Sequence, residues 1–179
     1  MSASFAFFVL GILLVFPGFQ SAFFVEASST VMRNNTPECR QKLLDSGFFA
    51  PIEAGGIYVL STDSYNWTDA RNFCKGLCLD LAVIGYPMEI QVLNNETERK
   101  YHGFVDLWTA GTNTFRESGQ FLWPTDTTIT NDLWLEGQPS TVNAGESSCV
   151  TLRKGGLGNQ PCSDTRKALC KMQTTDFKY

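Results

Sequence analysis

Six cysteines, at positions 39, 74, 78, 149, 162 and 170, follow an apolar leader, and no other feature of this 179-residue chain restricts its fold as much. The leader reads MSASFAFFVLGILLVFPGFQSAFFVEASST, nearly unbroken in apolar character from residue 5 to 16, then Pro17, Gly18 and small residues. That order predicts a signal peptide over residues 1–27, cleaved after Ala27 in Val25-Glu26-Ala27, although no Lys or Arg precedes the apolar run. The competing reading is a membrane anchor, since counting on through Phe23, Phe24 and Val25 approaches the roughly 20 apolar residues that cross a bilayer. Pro17, Gly18, Gln20 and Ser21 interrupt the count and favour the cleaved signal, and no second apolar run approaches membrane length.

A chain routed this way is a secreted, extracellular protein in an oxidising compartment, where an even number of cysteines forms disulfides. The spacing alone leaves their pairing open. Zinc is the alternative for Cys74-x3-Cys78, but His102 is the only histidine and the compartment favours oxidation. Removing 27 of the 179 residues leaves 152, enough for one domain with a real core. The net charge is −4 for the whole chain and −3 without the leader's Glu26. With no basic cluster, nucleic acid is not an expected partner. Sequons at Asn34, Asn66 and Asn95 offer glycan sites, as expected of a glycoprotein.

Residues 28–55 are polar and irregular and read as an N-terminal arm carrying Cys39 and a short helix over 40–46. Ile57 to Leu60 is a β-branched and aromatic run, the first strand. In SYNWTDARNFCKGLC, Trp67, Ala70, Phe73, Cys74 and Leu77 fall on one helical face, with Asn66 as N-cap, Asp69 completing an imperfect capping box and Gly76 near the end. That cap competes with glycosylation of Asn66. Pro87 opens a second helix to about Glu98, with Met88, Val92 and Leu93 inward. From residue 104 onward FVDLWTAG, QFLW, SCVTL and KALCKM are strand-like runs separated by Gly, Asn, Thr and Pro. The domain is thus expected over 56–173 with a short tail at 174–179, in an α+β layout whose long coil-like middle must be functional or cross-linked.

These residues, in this order, resemble the C-type lectin-like domain family. Trp67-x2-Ala70-x3-Cys74, followed by Leu79, Leu81 and Ala82, is similar to its first helix and the segment after it. Leu107-Trp108-Thr109-Ala110-Gly111 stands in place of its Trp-Ile-Gly-Leu strand, and Phe121-Leu122-Trp123 in place of the next. Trp134 resembles the aromatic before the long loop, and Cys149, Cys162 and Cys170 the closing cysteines. The resemblance spans about residues 57–172. It implies two helices on small antiparallel sheets with a disulfide-stapled loop region. It also implies bridges Cys74–Cys170 and Cys149–Cys162, which leaves Cys39 for Cys78; some secreted invertebrate members carry such an extra cysteine.

In sugar-binding members the long loop holds one calcium ion through a Glu-Pro-Asn or Gln-Pro-Asp triplet, a following Glu and a Trp-Asn-Asp triplet, and sugar hydroxyls complete the coordination. Carried over by position, the first triplet is Gln138, Pro139 and Ser140, the acid is Glu146, and the last triplet is Leu157, Gly158 and Asn159. Calcium takes about 6–8 oxygen ligands, with carboxylates setting affinity. Here Gln138 and Asn159 offer amide oxygens, Ser140 a hydroxyl and Glu146 the sole carboxylate, so calcium binding should be weak or absent. Asp126, Asp132 and Glu136 are further candidates from neighbouring loops. The expected function is carbohydrate recognition with weak or absent calcium dependence, on the ligand loop Gln138, Pro139, Ser140, Glu146 and Asn159. The rival is a module that binds an extracellular protein without metal.

An enzyme, such as a hydrolase, would need a poised acid, base or nucleophile. His102 reads as a surface residue at a helix end, and Glu96 and Glu98, two apart, cannot face each other. Catalysis is not expected.

Overall fold

In the computed structural model the described residues are 36–47, 55–115, 119–141 and 146–172. Contacts divide the chain into Met1–Asn34 and Asn35–Tyr179, and all described residues lie in the second unit. The expected leader, Asn34 and the 174–179 tail lie outside them.

Helix α1, Pro37–Asp45, starts where Thr36 caps it by accepting from the Cys39 amide at 3.3 Å, with Pro37 in the first turn where a missing N–H costs nothing. Strand β1, Tyr58–Tyr65, outruns the expected 57–60 because it pairs with the last strand, Tyr58 opposite Lys171 and Tyr65 opposite Arg166, across an irregularity between Leu60 and Ser64. Helix α2, Trp67–Gly76, begins as its sequence predicts: the Asn66 side chain accepts from the Asp69 amide at 2.9 Å and donates to the Asp69 carboxylate at 2.8 Å. It buries Trp67, Ala70 and Cys74. A two-residue strand β2, Asp80–Leu81, leads to helix α3, Pro87–Tyr101, which ends at His102 in left-handed backbone, φ 55°.

Strands β3 (Leu107–Thr112), β4 (Ser148–Arg153), β5 (Gly156–Pro161) and β6 (Arg166–Lys171) complete the sheet, in the order β1-β6-β3-β4-β5 with β2 also on β6. The β3–β6 pair is parallel and the others antiparallel. The described strands therefore form one mixed sheet, where small antiparallel sheets were expected. QFLW is not a strand either, since Leu122 makes only isolated bridges to Thr112 and Thr128. Gly111 is required where these layers meet: a Cβ there would lie 2.8 Å from Ile129 and Val150.

Helix α3 corrects another expectation. Met88 is 53% exposed and Val92 only half-buried, while Glu89, Ile90, Leu93, Asn94 and Thr97 face inward. A carboxylate can take that place because three donors meet it: Tyr58 Oη at 2.7 Å, Lys171 Nζ at 2.7 Å and the Gly85 amide at 2.9 Å. The disulfides join Cys39 to Cys78, Cys74 to Cys170 and Cys149 to Cys162. Cys74 and Cys170 are fully buried, so their bridge ties α2 to β6 through the core.

Candidate functional site

The loop between Trp134 and Cys149 is anchored to β5 at its start. Trp134 bridges Leu157 in parallel, the Leu135 amide donates to Leu157 O at 2.9 Å, and the Gln138 amide donates to Leu135 O at 2.9 Å. Gly156 permits the approach, since a Cβ there would lie 2.9 Å from Leu135 N. The Gln138–Pro139 peptide is cis.

Its far end is anchored by Asn113, just past β3. The Asn113 carboxamide accepts from the Ser148 amide at 2.8 Å and donates to Glu146 O at 3.0 Å, and its own amide donates to Ser148 O at 3.1 Å. Nothing in the local sequence marks Asn113 for this role, because both partners lie more than thirty residues away. Ser148, 3% exposed, is a second participant that sequence reasoning missed.

Between the anchors lies a depression of about 480 Å³ lined by Ser140, Thr141, Glu146, Ser147, Gln160 and Ser163 together with Pro161 and the buried Ser148 and Asn159. Of the expected ligand residues, Ser140, Glu146 and Asn159 share this depression and Gln138 reaches it by hydrogen bonding to Asn159. Pro139 is exposed beside them, and Asp126, Asp132 and Glu136 are not among the lining residues. Gly158 adds no side chain; a Cβ there would press on Arg153 at 3.0 Å.

Asn159 is 4% exposed and engaged at every polar atom of its side chain. Its Oδ1 accepts from the Ser140 amide at 2.6 Å and from Ser140 Oγ at 3.0 Å, and its Nδ2 donates to Ser140 O at 3.3 Å and Ser148 Oγ at 3.0 Å. The Asn159 amide donates to Gln138 Oε1 at 3.0 Å. A backbone N–H can only donate, so the Ser140 amide determines which carboxamide atom faces it.

This donor set does not suit calcium. The oxygens that a cation would take from Gln138 and Asn159 already accept N–H groups, and Ser140 Oγ directs its proton at Asn159. Glu146 is the one carboxylate lining the depression, and the intervening residues 142–145, Val-Asn-Ala-Gly, include no acid. Among the described residues no group of three His, Cys, Asp or Glu side chains could hold a metal ion.

Shifted proton affinities occur elsewhere. Burial pushes the Tyr101 phenol up to about 12, and its hydroxyl donates to Ser61 O at 2.5 Å. Burial, then the neighbouring Lys167 ammonium, lowers Lys100. The hydrogen bonds to the Asp80 carboxylate raise Arg71.

Residues 63–172 match the family model described as Lectin C-type domain. A mouse CD209 antigen-like protein A is 23% identical over 127 residues, which are 68% of this chain and 49% of that protein. The chain thus spans about half the length of this curated relative. Among solved structures, the mouse scavenger receptor C-type lectin carbohydrate-recognition domain has a TM-score of 0.59 at 21% identity, covering 70% of this chain and 95% of that one. The C-type lectin CEL-I from Cucumaria echinata has a TM-score of 0.61 at 18% identity, covering 79% and 99%. At such identities the likeness speaks for the fold.

Proposed function

Since this chain belongs to the C-type lectin domain family, a carbohydrate-binding family of recognition domains and not of enzymes, we propose that it is a secreted recognition protein that binds glycans without depending on calcium. One observation carries the reading: the Ser140–Asn159 and Gln138–Asn159 hydrogen bonds occupy the amide oxygens that calcium would need, while Thr141, Ser147, Gln160 and Ser163 with the Glu146 carboxylate line a polar depression beside them. Sugar hydroxyls both donate and accept, and such a surface meets them in both senses.

Two measurements test it. Thermal midpoints of the mature, oxidised domain in chelator and in millimolar calcium should coincide; an ion at 100 times its Kd would add about 2.7 kcal/mol, roughly 5–10 °C for a domain of this size. Retention on glycan resins should survive chelator. A calcium-dependent midpoint or retention would refute the metal-independent reading. Failure to bind any glycan would leave the alternative, a protein-binding module using the same loop surface.

The 1–27 leader and the disulfides support secretion. Intact mass should show loss of residues 1–27. Asn95 is exposed on α3 and should carry glycan, as should Asn34; Asn66, occupied as the α2 cap, should be modified least. Peptide mapping before and after enzymatic deglycosylation decides each site.

A further inference from the structure

We infer that Asn159 is a positioning residue that fastens the 138–140 segment of the ligand loop without a cation, its carboxamide doing from β5 what a cation would otherwise do from the loop's centre. The inference deepens the calcium-independent reading above and rests on it. A loop that projects from a sheet is held to one shape more firmly where its backbone polar groups are paired within the protein. Here both backbone groups of Ser140, N–H and C=O, bond to one side chain on β5, and Ser140 Oγ bonds it too. The Gln138 side chain closes the ring by accepting the Asn159 amide, so residues 138 and 140 are tied to one point on the sheet.

Three features separate this arrangement from ordinary loop packing. The carboxamide uses both lone pairs and both N–H groups, the full capacity of the side chain. It is 4% exposed, so water does not compete for those bonds. It is also held from behind: Ser148 Oγ, which accepts from Nδ2 at 3.0 Å, itself donates to Gln160 O at 3.1 Å. The side chain is therefore locked to β4 and β5 before the loop reaches it, which makes the depression preorganised.

A carboxylate at 159 would invert the pattern. Asn159→Asp keeps the shape and the acceptor for the Ser140 amide, but turns the atom facing Ser140 O from donor to acceptor. Charge would then require a counter-ion where the amide requires none.

The test is amide hydrogen exchange on the mature, disulfide-bonded protein in chelator, comparing wild type with Asn159→Ala and Gln138→Ala. In wild type the Ser140 and Asn159 amides should be protected and unchanged by calcium. In Asn159→Ala, which removes its acceptor, the Ser140 amide should exchange roughly tenfold faster, the expected effect of losing about one net hydrogen bond. Amides of α2 and β6 should keep their rates, which a general core lesion would not allow. In Gln138→Ala, half-buried and more tolerant, the Asn159 amide alone should lose protection. Unchanged exchange at Ser140 in Asn159→Ala overturns the inference; if that variant does not fold, unchanged exchange at the Asn159 amide in Gln138→Ala does so. Protection in wild type that appears only with calcium overturns both the inference and the metal-independent reading. Calcium-independent protection in a protein that binds no glycan sinks the glycan reading and sustains the positioning role.

Discussion

Glu89 is a carboxylate with no exposed surface, in the first turn of α3, with Tyr58, Gly85 and Lys171 all donating to it. Removing one partner of a buried ion pair costs about 3–5 kcal/mol, because the other charge is left unpaired. Glu89→Ala should therefore lower the thermal midpoint by at least about 6 °C, read by calorimetry. Tyr101 makes a second prediction. Its phenol stays protonated in the fold up to about 12, against an ordinary 10.0, so the stabilisation it contributes is full below pH 10 and lost as pH rises towards 12. Tyr101→Phe should flatten the loss of midpoint across that window, and an unchanged alkaline slope would count against the assignment. The expectation that Met88 lies inside failed for a reason that residue-level reading cannot see: Lys171, which makes Glu89 tolerable in the core, is 82 residues away.

At the scale of elements, the signals that are local were legible. The Asn66 cap, the apolar face of α2 and the proline opening α3 depend on neighbours within one helical turn. Asn66→Ala should cost about 1 kcal/mol of stability, measurable in denaturant without a change in slope. Strand β5 was not legible: Gly156 to Pro161, GLGNQP, has turn composition and becomes a strand only because β4 offers a complete antiparallel edge from Ser148 to Arg153. The parallel β3–β6 pairing was equally invisible, since a parallel register has no hairpin to announce it. Helix α1 depends on the half-exposed Cys39–Cys78 bridge. Replacing both cysteines by serine should free α1 first: trypsin should then cut at the exposed Lys42 well before near-ultraviolet dichroism of the sheet changes.

For the whole molecule, the Cys74–Cys170 bridge joins residues 96 apart through the core, worth roughly 4–5 kcal/mol in the chain-entropy account. Its removal should abolish the cooperative transition, where loss of Cys39–Cys78 leaves one. By itself the sequence determined the α+β class, the family resemblance and a loop before Cys149 short of carboxylates, because these follow from residue type, order and short-range periodicity. Only the tertiary structure decided what the remaining polar residues do: that Asn113 and Ser148 pin the loop, and that Asn159 spends its whole carboxamide on Ser140 and Ser148. A hydrogen bond exists only where donor and acceptor meet, and these partners are 11 to 35 residues apart along the chain, brought together by the sheet.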